Sequence, residues 1–393
     1  MDVPDGTGYA ACMRASMFDP VSLARCRSYD PEEVGSALSA VLAPLGGMAA
    51  FVEPRMRVLV KPNLLSARPP ERAVTTHPAV VRAVVEAVQA CGGVPVIGDS
   101  PGGQNTPSSY DALLRTTGMM GVIEETGCEY VYFDDESVAV PSPDGLVFRG
   151  FTIARGVADA DAVICLPKLK THQLTAYSGA VKILYGCIPG ITKAAYHLHA
   201  GRDRETFADL LLDLHAAIPP SLSVMDAVVG MEGKGPQSGD PRQIGLIAAS
   251  ASCTALDYAA ALAVGLDPLS VPTIARAAAR GEGPAGLSDL RVHGPPIAEV
   301  RVADFVPAPA SPPSLPSFVT QFGGRLVAAR PLVDAGRCTA CGTCAAVCPP
   351  HAITFVPGEI PQIDEEACIR CFCCQELCPQ GAVEIVRPSV REY

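Results

Sequence analysis

Nine of the sixteen cysteines in this chain fall between Cys338 and Cys378, and eight of the nine repeat one pattern twice. The first run is Cys338-x2-Cys341-x2-Cys344-x3-Cys348-Pro349, and the second is Cys368-x2-Cys371-x2-Cys374-x3-Cys378-Pro379. Three thiolates at this spacing wrap one face of an iron–sulfur cubane, while the fourth cysteine of each run reaches the other cluster. The spacing therefore assigns Cys338, Cys341, Cys344 and Cys378 to one [4Fe-4S] cluster, and Cys368, Cys371, Cys374 and Cys348 to a second. Zinc is satisfied by four ligands and has no use for the third cysteine or for a doubled x3-Cys-Pro. Cluster iron performs one-electron chemistry, so electron transfer is the expected role. The ninth cysteine, Cys373, adjoins Cys374 in CIRCFCCQELCP and reads as a small residue packed beside a cluster.

A second concentration of reactive side chains spans residues 166–199, LPKLKTHQLTAYSGAVKILYGCIPGITKAAYHLH. It holds Lys168, Lys170, Lys182 and Lys193 together with His172, His197 and His199. These lysines alternate with apolar residues, so burial is expected to lower their pKa values or to set them to hold an anion. His197 and His199 share one side if that stretch is extended, as a metal pair requires; ordinary surface histidines are the plainer alternative. Lys168, Lys170, His172 and Lys182 are the catalytic candidates, and Lys61, Asn63, Asp99, Ser100, His197 and His199 the candidates for holding a second, unidentified cofactor. Cys165 and Cys187 read as core thiols. The Gly-rich stretch 230–236 is neither a Walker A loop nor a GxGxxG fingerprint, and serves equally as a ligand-facing loop or a connecting turn.

Something must position these groups, and the pattern around them is that of alternating strands and helices. Residues 56–60 (MRVLV) form a short apolar run that stops at Lys61-Pro62-Asn63. A helix is expected after it, capped by Thr75 or Thr76, with Pro78 in its first turn. Val80, Val81, Val84, Val85 and Val88 make one apolar face of that helix, and Gly92-Gly93 end it. Residues 94–97, 162–166, 222–225 and 244–248 read as buried strands. Further helices are expected through Phe207 to Ile218 and over 253–264. Short apolar strands between amphipathic helices imply parallel βαβ units in a three-layer α/β domain with a mainly parallel sheet. In such sheets ligands bind beyond the carboxyl ends of strands. Residues 61–63, 98–103 and 167–172 stand there as polar loops.

Five prolines between residues 306 and 318 mark a semi-stiff linker. The expected organisation is thus an α/β domain over 1–305, a Pro-rich linker over 306–329, and a small α+β ferredoxin-like domain over 330–393. A hydrophobic share of 48% against 18% charged residues excludes disorder over most of the length. A formal charge of −11, without any run of Lys or Arg, argues against nucleic-acid binding. No segment reaches the ~18 apolar residues of a membrane span, and no signal peptide is legible at the N-terminus. A cytoplasmic location is expected.

These residues also carry a resemblance. KPN (61–63), THP (76–78), GDSPG (98–102), PKLKTH (167–172), SGAVK (178–182) and DAVVGMEGKGP (226–236) are similar to the prokaryotic "domain of unknown function 362" family, over residues 55–305. Members of that family often end in a ferredoxin module, and CIRCFCCQELCP looks like theirs. More distantly, YSGAVKILYGCIPG (177–190) with His197 and His199 looks like the cofactor-bearing segment of nickel-pincer lactate racemases. That likeness implies a cofactor-bearing role for Lys182, nickel ligation by His197 or His199, and acid/base work for His172. The first acid/base histidine of those racemases has no counterpart here, and they lack a ferredoxin module. Three functions follow as expectations. One is an iron–sulfur oxidoreductase passing single electrons to a small-molecule substrate or cofactor in the crevice. The second is a non-catalytic electron carrier or maturation factor docking a redox partner protein, and the third is a pincer-cofactor racemase-like enzyme.

Overall fold

The computed structural model describes residues 18–309, apart from 104, 191 and 202, and residues 329–386. Most of the expected Pro-rich linker, 310–328, lies outside the described residues. The backbone of the large part is a ten-stranded sheet. Its first four strands in chain order are β1 (Val21–Arg25), β2 (Arg57–Pro62), β3 (Val94–Asp99) and β4 (Glu129–Tyr132). A separate antiparallel hairpin is formed by β5 (Ser137–Pro141) and β6 (Gly150–Ala154). The sheet continues with β7 (Ala162–Leu166), β8 (Lys168–His172), β9 (Ala176–Ser178), β10 (Leu222–Glu232), β11 (Asp240–Ser250) and β12 (Val292–His293). The order is β12-β1-β11-β10-β7-β2-β3-β4, and from β10 to β4 every neighbour is parallel. β11 runs antiparallel to both β1 and β10. The expected three-layer, mainly parallel architecture is present.

Alternation along the strands explains the layers. Val58 and Val60 of β2 belong to one core and Leu59 to the other; Ile164 and Cys165 of β7 divide in the same way. One face is covered by the helices Pro31–Leu42, Pro78–Ala90 and Met119–Thr126, the other by Arg204–Ala217, Cys253–Ala263 and Pro272–Ala279. In Pro78–Ala90 the five valines expected on one face are all buried, each worth about 1.5–3 kcal/mol relative to exposure. The cap of this helix is His77 rather than a threonine. Its Nδ1 accepts from Ala79 N–H at 3.2 Å, because Thr76 Oγ1 is committed to Leu166 O at 2.6 Å.

The largest departure from the sequence reading concerns residues 167–172, expected as a loop. Only Pro167 breaks the chain there. Lys168–His172 resumes as β8, which leaves the path of β7 to pair with β10 and with the short β9. The small C-terminal unit has β13 (Arg330–Val333) paired with β16 (Val383–Val386) and β14 (Ile353–Thr354) with β15 (Gln362–Ile363). Two short helices, Thr343–Ala346 and Cys373–Glu376, occupy equivalent places in its two halves. Among the described residues no helix is long and apolar enough to cross a membrane.

Candidate functional site

The carboxyl ends of β2, β3 and β7 do open onto a crevice, and the interior of that crevice is built mainly from buried charge. Lys61 is the last side chain but one of β2 and is fully buried. Its Nζ meets Asp99 Oδ1 at 2.7 Å, while Asp99 Oδ2 accepts from Leu64 N–H at 2.7 Å. Burial pulls the Lys61 pKa down, but Asp99 and two neighbouring thiols outweigh it and hold the group above its ordinary value. Lys168 sits on Asp226 at 2.9 Å and donates to Tyr29 Oη at 2.8 Å. Its pKa is lowered, because desolvation exceeds the pull of Asp226. Both lysines are therefore locked in buried ion pairs whose partners leave them no freedom to act on a ligand.

Lys170 has no carboxylate partner among the described residues. Its Nζ donates to Asn63 Oδ1 at 2.7 Å and Val74 O at 2.8 Å. Burial, then repulsion by Lys182, lowers its pKa to about 7. His172 is 2% exposed. Its Nδ1 accepts from Leu174 N–H at 3.1 Å, which places the proton of the neutral ring on Nε2. Burial depresses this imidazole to about 4. Nε2 lies 3.5 Å from Glu376 Oε2, long for a hydrogen bond, and has no other partner.

Above these groups lies a cavity of about 290 Å³. Asn63, Asp99, Ser100, Lys182, Lys193 and His197 line it. So do Ala346, Val347, Cys373, Glu376 and Leu377, which all belong to the cysteine-rich unit. The small unit is thus one wall of the cavity. It is held there by Gln237 Nε2 to Cys378 O at 2.7 Å, Gln375 Nε2 to Lys234 O at 3.2 Å, the Lys234–Glu384 ion pair at 2.9 Å, and a contact of Arg68 with Pro379 O. Glu376 Oε1 stands 4.0 Å from Lys182 Nζ. Although burial opposes it, Lys182 and His172 hold this carboxyl well below its usual range.

Lys182 opens the turn Lys182–Cys187. The preceding bend is fixed by Asp257, which accepts from Ala180 N–H at 2.6 Å and Val181 N–H at 3.0 Å. Burial raises Asp257 to about 6. Lys193 is held at 2.9 Å by both Ser100 O and Ser100 Oγ and at 3.3 Å by Pro101 O, so its three protons are spent on the loop after β3.

The two histidines downstream behave differently from the extended-strand expectation. Thr192–Ala200 is a helix, and residues two apart on a helix point to different sides. His197 is buried against Phe207, with ring centroids 4.6 Å apart, and burial lowers its pKa to about 3. His199 is exposed and packs on Phe148 at 4.5 Å. They do not form a pair, and only His197 reaches the cavity. Lys61 and Lys168 also stand behind the cavity wall rather than in it.

Several functional residues had escaped the sequence reading. Asp226 and Asp257 are lone acids in otherwise apolar segments (VMDAVV and CTALDYAAALA), a pattern that signals a buried charge with a partner. Asp134, which accepts from Gly190 N–H at 2.6 Å, Asn105 Nδ2 at 2.7 Å and Tyr110 Oη at 2.7 Å, carries no such signal. Glu376 lies two positions after Cys374 and was hidden by the cysteines. Residues 230–236 prove to be the end of β10 and a platform for the small unit rather than a ligand loop.

Around the cysteines the geometry fits cubane clusters. Cys338, Cys341, Cys344 and Cys378 line one internal space. The neighbouring thiols that act on Cys344 are Cys378, Cys341 and Cys338, whereas Cys374 is acted on most by Cys371, Cys368 and Cys348. Backbone N–H groups point at sulfur in matching places of both halves. Ala340 N–H faces Cys338 at 3.4 Å and Arg370 N–H faces Cys368 at 3.4 Å; Ala352 N–H meets Cys348 and Ala382 N–H meets Cys378, both at 3.2 Å.

Fold and site together define an α/β protein carrying an iron–sulfur module against its crevice. The sequence profile described as "Domain of unknown function (DUF362)" matches residues 58–262, and the "4Fe-4S dicluster domain" profile matches residues 337–382. The chain belongs to the DUF362 family, and its C-terminal part binds 4Fe-4S clusters. It is 40% identical over 259 residues to the thylakoid-associated protein sll1697 of Synechocystis sp., an alignment covering 66% of this chain and 78% of that protein. Among solved structures, the lactate racemase apoprotein from Thermoanaerobacterium thermosaccharolyticum is 12% identical at a TM-score of 0.37, over 64% of this chain and 57% of that one. A Thermotoga maritima protein is 12% identical at 0.34, over 58% and 57%. The chain thus spans a little over half the length of each solved structure, and likenesses this loose say nothing about chemistry.

Proposed function

We propose that this protein is an iron–sulfur oxidoreductase whose substrate or second cofactor occupies the cavity between the α/β domain (1–305) and the ferredoxin-type domain (330–393). The observation that carries this reading is the shared wall: Cys373, Glu376 and Leu377, in the segment that contains the second cysteine run, line the same cavity as Lys182, Asn63 and Asp99. In this reading Cys338, Cys341, Cys344 and Cys378 hold one cluster, and Cys368, Cys371, Cys374 and Cys348 hold the other. Bound there, the clusters supply one-electron transfer.

The chain's own residues do the rest. Cys341 is exposed, whereas Cys371 and Cys374 are buried and flank Cys373, which lines the cavity, so the module offers a solvent-facing end at Cys341 and a site-facing end at the second run. The four N–H···S contacts stabilise thiolate charge. Lys170 fixes the Asn63 amide by holding its Oδ1, which leaves Nδ2 for a ligand. Neutral His172 holds a proton on Nε2 beside Glu376, within reach of a substrate that displaces that carboxylate. Leu377, Val347 and Ile183 supply apolar wall to the cavity.

The test uses the full chain purified without oxygen. About eight iron atoms per chain are expected from two clusters. After reduction with dithionite, reoxidation by a panel of small-molecule acceptors or by desalted cell extract is followed in the visible spectrum. Acceleration by one acceptor that is lost in Lys182→Gln is the expected result. Clusters that reoxidise at the same rate with every acceptor, alongside one stoichiometric protein in a pull-down, overturn the enzyme reading in favour of a carrier.

A further inference from the structure

The whole chain contains six lysines, and five of them, Lys61, Lys168, Lys170, Lys182 and Lys193, lie at this one crevice. Only Lys234 is on the surface, with 57% of its side chain exposed. Lysine is ordinarily a surface residue, so the distribution is inverted, and the partners of each ammonium show what the inversion leaves over. Lys61 and Lys168 are neutralised by Asp99 and Asp226. Lys170 and Lys193 are engaged by amide, carbonyl and hydroxyl oxygens. Lys182 alone makes no hydrogen bond among the described residues; it faces the Glu376 carboxylate across 4.0 Å.

Of the two carboxylates that line the cavity among the described residues, Glu376 keeps both oxygens clear of a close hydrogen bond, Oε1 4.0 Å from Lys182 Nζ and Oε2 3.5 Å from His172 Nε2. Both oxygens of Asp99 are taken, and Asp134, behind the wall, is filled by amide, carboxamide and phenol donors. Against that one carboxylate stand three side-chain donors, Lys182 Nζ, the Nδ2 of Asn63 and the hydroxyl of Ser178, with no hydrogen-bond partner among the described residues. A ligand that completes this set brings an acceptor-rich anionic end. Glu376 already opposes Lys182, so the excess positive charge of the lining is the Lys193 ammonium, held by neutral oxygens, and a single excess charge balances a monoanion better than a dianion, which favours carboxylate over phosphate.

The shape adds a second property. The cavity adjoins an open groove of about 640 Å³, Leu65, Gly102, Gly103, Ala346, Val347 and Leu377 lining both. The groove runs along the seam between the two domains past Leu113, Ala345 and Phe355, and its lining is mostly apolar or small. An anionic end at Lys182 with a long apolar body along the seam fills both spaces.

We propose that the cavity binds an elongated organic carboxylate, its head on Lys182, Asn63 and Ser178 and its hydrocarbon body in the interdomain groove. This deepens the oxidoreductase reading by naming its substrate class, and binding can be measured without any electron transfer, so either claim can fail alone. The experiment titrates the full chain, clusters loaded and oxidised, with sodium butyrate, sodium decanoate below its micellar range, and inorganic phosphate, by anaerobic calorimetry.

Decanoate is expected to bind at least tenfold more tightly than butyrate, because each added methylene buries apolar surface, and phosphate more weakly than either. Lys182→Met and Asn63→Asp should each weaken decanoate at least tenfold with iron content unchanged, while Arg57→Gln, at the opposite end of β2, leaves it as it was. No binding of any probe, equal affinity for the two acids, tighter binding of phosphate, or decanoate binding indifferent to both cavity variants overturns the proposal.

Discussion

At the scale of single residues the site depends on amines and imidazoles that burial holds near neutrality. Lys170 is the plainest case. Its folded-state pKa, about 7, lies below its ordinary 10.5, burial being the main cause and Lys182 the next. Between those values the unfolded chain binds a proton that the folded chain does not, so stability rises with pH across that window. Below pH 7 both forms are protonated and the cost of the buried cation is constant. The urea midpoint of wild type relative to Lys170→Met, measured anaerobically at pH 6, 7, 8 and 9, should be flat at first. It should then move in favour of wild type by about 1 kcal/mol per pH unit above 7. A difference that stays level to pH 9 would show that Lys170 keeps its proton. The depressed histidines act in the same direction on the acid side. His172 and His197, held at about 4 and about 3, stay neutral in the fold where the unfolded chain protonates at about 6.5. Stability is lost as pH falls from 6.5 toward those values.

At the scale of elements, the turn Lys182–Cys187 is seated directly on the Lys61–Asp99 pair. A Cβ on Gly186 would lie 2.1 Å from Asp99 Oδ1 and 2.6 Å from Lys61 Nζ, neither of which can retreat within the core. Gly186→Ala is therefore expected to cost about 1–3 kcal/mol as overpacking and to lift Lys182 out of the cavity. Gly35→Ala, in the middle of Pro31–Leu42 with nothing within 4 Å of the added methyl, should instead stabilise by about 0.5–1 kcal/mol. Thermal melting of the two variants checks the pair, and equal melting points would contradict the seating. Much of this was legible beforehand. The valine face of Pro78–Ala90, the strand starts at 94 and 222, the strand expected from 56 that begins at 57, and the three polar segments at strand ends follow from period and turn chemistry alone. What period cannot show is where a strand resumes after one proline, as at Lys168–His172. Nor could it show that 192–200 is helical, which separates His197 from His199. Both were decided by tertiary pairing: β8 has β10 and β9 to bond with, and His197 has Phe207 to stack on.

At the scale of the whole molecule, the decisive feature is that a module recognisable by its cysteines alone completes a cavity recognisable by its lysines alone. No sequence pattern joins the two, because the contacts are single side chains 141 to 311 positions apart. Gln237 reaches Cys378 O, and Leu377 fills the space that Gly102 leaves by having no side chain. A Cβ at Gly102 would stand 2.6 Å from the Leu377 methyl, so Gly102→Val must push Leu377 aside and loosen the seam. It touches none of the eight cysteines of the two runs, and iron content should be unchanged. The packing of the module on the crevice is what weakens. Backbone amides of 373–377 should exchange with solvent at least several-fold faster than in wild type, while those of β2 and β7, buried at the sheet centre, keep their protection. The same variant should slow reoxidation of the reduced protein by any acceptor that uses the cavity, since the inner wall no longer closes on it. Faster exchange with unaltered reoxidation would mean that electrons leave through the exposed face at Cys341, and that the cavity serves binding without electron transfer.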